Sequence, residues 1–270
     1  MRVQRVVKDL PKEDKPVRES GERFIPEIRV KALPSKFLPY PPNCSISYKP
    51  YVFGELIEFN ESKLSEADIV KFVSRGITTS FPLMDLTYFD YLFISLLRKI
   101  SSFGGNQFSF NYTCQKCGVV GTHKATIEEI DFNDLNVPNL PLVTTIGNTE
   151  LHFMPLTLGK YISLLESNKV DKRVSLFAAE IINMKQEEAE EVIYNSIGED
   201  QALLNYVDEI LYFGVKPMTV TCKAEVKGNP DGKITCGFEN KVEIDSPEVL
   251  TRPFRTDRES LRNRIRFGIS

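Results

Sequence analysis

The chain is short of the residues and motifs that mark the commonest functions. Its 270 residues include only two histidines, His123 and His152, and histidine is the side chain most used to move protons near neutral pH. No G-x-S-x-G elbow, Gly-rich phosphate loop or H-E-x-x-H helix occurs, so acyl transfer, nucleotide-phosphate binding and metalloprotease chemistry lack their usual parts. Ser101-Ser102-Phe103-Gly104-Gly105 reads as a loop, and His152, within ELHFMP, reads as a packed or hydrogen-bonded strand residue rather than a base. No apolar run approaches the roughly 18 residues that span a bilayer. The N-terminal MRVQRVVKDLPKEDKPVRE lacks the apolar core of a signal peptide. A net charge of −3 excludes a general polyanion binder, and no internal repeat of solenoid length is found. The expectation is a protein made in a reducing cytoplasm, not an enzyme, with no membrane segment and no small-molecule substrate.

What the chain does have is cysteine in a telling pattern. Of five, Cys114 and Cys117 form C-x-x-C followed by Gly118, in TCQKCG, which is half of a metal knuckle. A tetrahedral zinc site needs two more ligands. Cys222 and Cys236 flank the turn sequence Gly228-Asn229-Pro230-Asp231-Gly232 symmetrically about Asn229. A hairpin centred there sets them opposite one another on one face. The expected centre is therefore a structural zinc ion held by Cys114, Cys117, Cys222 and Cys236, clipping together two hairpins that are distant in sequence. Two alternatives stand beside it: His123 in place of one cysteine, or Cys222 and Cys236 as small apolar fillers of a strand pair. A redox C-x-x-C is disfavoured because no helix begins at Cys117, and Cys44, among prolines, reads as a bystander.

The fold class read from the pattern is α+β: β-hairpins forming a zinc-ribbon-like part, a helical insert, and extended N- and C-terminal arms. Residues 1–50 read as a proline-rich arm whose second half, with Pro26, Pro34, Pro39, Pro41, Pro42 and Pro50, is an ordered strap packed on something. A mixed α/β part covers 51–156. In it YVFGELIEFN (51–60) reads as a strand or entry segment, 65–74 as a short helix, and 86–100 as a helix capped by Asp85 or Thr87. The last has a broad stripe of Leu86, Phe89, Phe93, Leu96, Leu97 and Ile100. Hairpins follow at 107–130 and, turning at Gly147-Asn148, at LVTTIGNTELHFM. Residues 157–214 form the helical insert, with helices near 157–167, 171–183, 186–197 and 200–213, the last ended by Gly214. Residues 215–248 hold the second cysteine hairpin, and 249–270 a basic arm.

Charge is patterned as well. Eight acids lie between Glu187 and Glu209 with no lysine or arginine among them, and residues 251–270 carry six arginines against two acids. The acids read as a solvated helix face or as a docking surface for a basic segment, another protein's or this chain's own tail. With few interleaved aromatics, the tail reads as protein-binding rather than nucleic-acid-binding.

Taken in order, PYVFGELIEF, DLTYFDYL, CQKCG, HFMPLTLGKY and LYFGVKP resemble the baseplate hub subunits of T4-type contractile-tailed bacteriophages, a family described as hub assembly proteins. The resemblance covers roughly residues 50–240, and CQKCG and LYFG are its distinctive motifs. It implies a non-enzymatic tail protein, located in the virion baseplate and assembled in the host cytoplasm. Its partners would be other tail and baseplate proteins in a multi-subunit assembly, with Cys114 and Cys117 as metal-knuckle positions. The wide spacing of the second cysteine pair departs from that pattern. The alternative from another class is a zinc-ribbon regulatory module binding nucleic acid or polymerase.

Overall fold

The computed structural model describes residues 25–61, 64–103, 107–126, 129–167, 172–226 and 234–244. The segments read as the outer part of the N-terminal arm, the basic C-terminal arm and the Gly228–Gly232 turn lie outside them.

The chain enters through β1 (Ile28–Arg29) and β2 (Ile46–Tyr48), which with β3 (Ile77–Thr79) make a three-stranded antiparallel sheet in the order β1-β2-β3. Between β1 and β2 the proline-rich strap coils through successive turns, with Lys36, Phe37 and Asn43 at positive φ. Its anchor is a buried carboxylate. Asp90 accepts from the Ser35 N–H, the Tyr40 hydroxyl and the Thr87 hydroxyl. Tyr40 also stacks on Phe81 at 4.8 Å.

Residues 53–61 form a helix, α1 (Phe53–Glu61), not the strand expected from their sequence. The Glu55 carboxylate accepts from the Val52 N–H at 3.0 Å, closing the first turn. Helix α2 (Glu66–Ser74) begins with a capping box between Ser65 and Asp68 and buries Ile69, Val70, Phe72 and Val73. A 3-10 turn at Leu83–Asp85 leads to α3 (Tyr88–Phe103), the centre of the molecule. Thr87, of the two candidate caps, accepts from the Asp90 N–H. Every α3 residue from Asp90 to Ile100 is buried, so the stripe read from the sequence is in fact a helix covered on all sides.

Arg98 on α3 is 1% exposed. Its guanidinium donates to the Lys49 carbonyl (2.7 Å), the Val73 carbonyl (2.9 Å) and Glu55 Oε1 (2.7 Å), and lies 3.8 Å from the centre of the Tyr51 ring. One side chain thus ties α1, the end of α2 and the exit of β2 to α3. Gly76 makes room for it, since a Cβ there would stand 2.1 Å from the guanidinium.

Four two-stranded antiparallel pairs complete the β-structure among the described residues: β4 (Gln107–Thr113) with β5 (Val120–Thr126), β6 (Leu142–Ile146) with β7 (Thr149–Phe153), β8 (Met218–Thr221) with β11 (Glu239–Val242), and β9 (Glu225–Val226) with β10 (Ile234–Thr235). The helical stretch resolves into α4 (Leu158–Glu166), α5 (Lys172–Ala179), α6 (Gln186–Tyr194) and α7 (Glu199–Leu211). Helix α4 packs on the main core, whereas α5–α7 close over the β6–β7 hairpin around a second core of Leu135, Leu151, Phe153, Ile181, Leu204 and Phe213. Phe89 packs against both cores. Gly214 does not stop α7, which ends at Leu211 with Tyr212 extended; a Cβ at 214 would lie 2.7 Å from the Phe89 ring. No helix among the described residues is long and apolar enough to cross a membrane.

Candidate metal centre

The first knuckle sits where β4 ends and β5 begins. The Cys114 N–H donates to the Val119 carbonyl at 3.0 Å, and the Gly118 N–H donates back to the Cys114 carbonyl at 2.9 Å. Gly118 has φ +70°, the left-handed region that glycine adopts without a Cβ penalty. The turn leaves both thiols on one side.

The second pair repeats this pattern. The Cys222 N–H donates to the Phe238 carbonyl at 2.8 Å, the Gly237 N–H donates to the Cys222 carbonyl at 3.0 Å, and Gly237 has φ +64°. Cys236-Gly237 therefore does for Cys222 what Cys117-Gly118 does for Cys114. The two halves are the same knuckle, except that thirteen residues stand between Cys222 and Cys236 where two stand between Cys114 and Cys117. The extra residues include the β9–β10 pair. The register corrects the expected facing of the two cysteines. Val226 pairs with Ile234 and Thr221 with Glu239, which centres the hairpin one residue beyond Asn229. The Cys236 N–H accordingly bonds to the Ala224 carbonyl. The two cysteines share a face as diagonal neighbours rather than as a directly opposed pair.

All four sulfurs lie within 4.8 Å of one another. Cys114 and Cys236 Sγ are 3.8 Å apart, as are Cys117 and Cys222 Sγ. Those distances are far beyond the roughly 2.05 Å of a disulfide. Four sulfurs arranged tetrahedrally about a zinc ion, at bonds of about 2.3 Å, would stand about 3.8 Å from one another. The donor set fits a metal ion. No protein-family model matches the chain, and no curated protein or solved structure matches it either. The chemistry of the centre rests on its own residues.

Electrostatics favour a cation among them. Burial opposes ionisation of Cys114, yet the Cys117 and Lys116 N–H groups, the Cys117 thiol and the Asn240 amide pull its thiol down to about 6. At Cys117 the Val119 N–H favours the thiolate, but burial and hydrogen bonds with Cys114, Cys222 and Cys236 push the thiol up to about 11. Adjacent sulfurs cannot all ionise unless a positive charge sits among them.

Two supporting residues are not obvious in the sequence. Asn240 on β11 is 1% exposed, and each of its polar atoms is used. Its Oδ1 accepts from the Gln115 N–H at 2.8 Å, while its Nδ2 donates to the Phe238 and Val220 carbonyls at 3.2 and 3.3 Å and to Cys114 Sγ at 3.7 Å. It pins the first knuckle to the second hairpin. The only signal was an amide at a position of β11 that faces inward. Tyr112, buried on β4, hydrogen-bonds Cys222 across the hairpins, and Gly121 opposite it leaves space for the ring, which would be 2.9 Å from a Cβ.

The remaining candidates fall elsewhere. His123 lies beside Phe110 and 3.9 Å from Glu129, outside the four-sulfur group. His152 hydrogen-bonds Glu150 at 2.8 Å. Cys44 is a free, half-buried thiol against the main core.

Proposed function

We propose that the protein is a non-catalytic structural or assembly component in which Cys114, Cys117, Cys222 and Cys236 hold one structural zinc ion. The observation that carries this reading is the grouping of four sulfurs from two knuckles within 4.8 Å of one another. Four protein ligands leave zinc no open position for water or substrate, so the ion supplies cohesion rather than Lewis acidity. In this reading it fixes the pose of two hairpins, and the helices and terminal segments offer surfaces to neighbouring subunits.

The finer placement, in the baseplate of a contractile phage tail, is supported by the resemblance of CQKCG and LYFG and of the order of elements around them. Zinc analysis tests the coarse reading: one ion per chain is expected in the wild type, and none in either Cys114→Ser or Cys222→Ser. Zinc-free but fully folded protein would overturn it. The baseplate reading is tested by quantitative mass spectrometry of purified contractile tails and their assembly intermediates. Absence of the chain from both would refute it.

A further inference from the structure

Where α5 and α7 meet the start of α3 and the first turns of α4, the molecule holds a cavity of about 720 Å³, within the usual size range of ligand sites. Tyr88, Tyr161 and Phe177 form aromatic wall, with the two tyrosine rings 4.0 Å apart. Glu180 and Asp208 line the same space. Glu180 is only 9% exposed, and its Oε2 is buried with no hydrogen-bond partner. A buried carboxylate oxygen without a donor costs free energy and calls for a ligand that donates.

The charges facing this acid do not satisfy it. Lys160 directs its ammonium to the carbonyls of Ala179 (2.6 Å) and Ile181 (3.4 Å) and makes no ion pair with Glu180. Arg173, also on the wall, acts on Asp208. Glu66 is engaged by the Tyr161 hydroxyl at 2.7 Å. Burial, and then the Asp208 charge, push the Glu180 carboxyl up to about 8, outweighing the Leu156 N–H and the more distant Lys160 charge that pull the other way.

We propose that this cavity binds an organic cation, a primary ammonium or guanidinium on a carbon stem, with its charge on Glu180 and its stem against the aromatic wall. Aromatic faces add attraction for such a charge, and Glu180, releasing its proton to solvent as the cation binds, supplies the strong, charge-assisted acceptor. Two sources share this chemistry: a free amine, or one of the arginines in residues 251–270 of the chain itself.

Calorimetric titration of the full-length protein with benzylamine and with its neutral analogue benzyl alcohol tests the proposal. The same titrations are made on a full-length variant carrying R252Q, R255Q, R258Q, R262Q, R264Q and R266Q. Benzylamine should bind at least about tenfold tighter than the alcohol in one or both proteins, a difference of about 1.4 kcal/mol. Glu180→Gln should erase that preference while leaving the fold intact by circular dichroism. Asp208→Asn, on the more exposed helix face, should reduce it in the same direction and serves if the first variant misfolds. A preference seen only after the arginines are replaced identifies the tail as occupant, and one of equal size in both proteins identifies a free amine. Equal binding of amine and alcohol, or binding of neither, in both proteins overturns the proposal, as does a preference that survives Glu180→Gln.

Discussion

Around α3, side chains from the strap, α1, α2 and β2 converge on one buried helix, and its polar groups are answered by protein: Asp90 by three donors, Arg98 by three acceptors and an aromatic face. The cysteine hairpins are built differently. Strands β4–β5 and β8–β11 are two-stranded pairs, and β5 leaves Val120 66% exposed. A lone two-stranded hairpin is marginal in water, whereas a helix buried on all sides is held by its neighbours. The contrast shows where the proposed metal would act. Around α3 side chains alone close the packing; in the two-stranded hairpins an ion on the four sulfurs would add a cross-link to the apolar contacts that Phe110, Tyr112, Met218 and Val220 make with the main core.

Metal removal should separate the two regions most sharply. Structural zinc sites bind with apparent free energies of about 10–16 kcal/mol, so chelation should strip hydrogen-exchange protection from residues 107–126, 218–226 and 234–242 while 90–100 stay protected. Acid should do the same, because the thiols must ionise to bind. Equal loss of protection in α3 would show that the two regions are one cooperative unit. Breaking the other side comes next. Arg98→Ala removes the ion-pair partner of Glu55 and a strong donor to the Lys49 and Val73 carbonyls and should cost about 3–5 kcal/mol in denaturant unfolding, with metal still bound at one per chain before unfolding. Asn240→Ala probes the seam of the centre itself. Loss of its bonds should cost about 1–3 kcal/mol and weaken zinc affinity roughly 10–100-fold, as supporting residues of metal sites do, read by competition with a chromophoric chelator. Arg75→Ala should show the smallest effect, below about 1 kcal/mol, because its pair with Glu58 is solvent-exposed on both sides. A large loss there would mean that surface pairs, not Arg98, hold this corner.

Much of this organisation was legible because it repeats with a period. The α3 stripe, the short helix after Ser65, the CQKCG hairpin and the four later helices all follow from apolar spacing and turn residues. YVFGELIEFN was misread because its aromatic and β-branched residues favour a strand locally. Its helix depends on Glu55, which closes the first turn and meets Arg98, a residue more than forty positions away. The four cysteines were legible as a set, but the likeness of the two knuckles was not. Spacing in sequence conceals it, and only the shared hydrogen bonds and the two left-handed glycines reveal it. Asn240 and Glu180 are harder still, since a polar residue in a strand or at a helix end carries no mark of being buried.

The separation of the two knuckles also bears on how the protein is made. Cys117 and Cys222 are 105 residues apart, and ribosomes add roughly 5–20 residues per second. The first knuckle therefore leaves the ribosome about 5–20 seconds before its partner sulfur exists. For that interval its thiols are open to oxidants, to stray metals and to other nascent chains. The four sulfurs can meet only late in synthesis, so on the zinc reading proposed above the ion would join a chain whose first knuckle has already been exposed for those seconds.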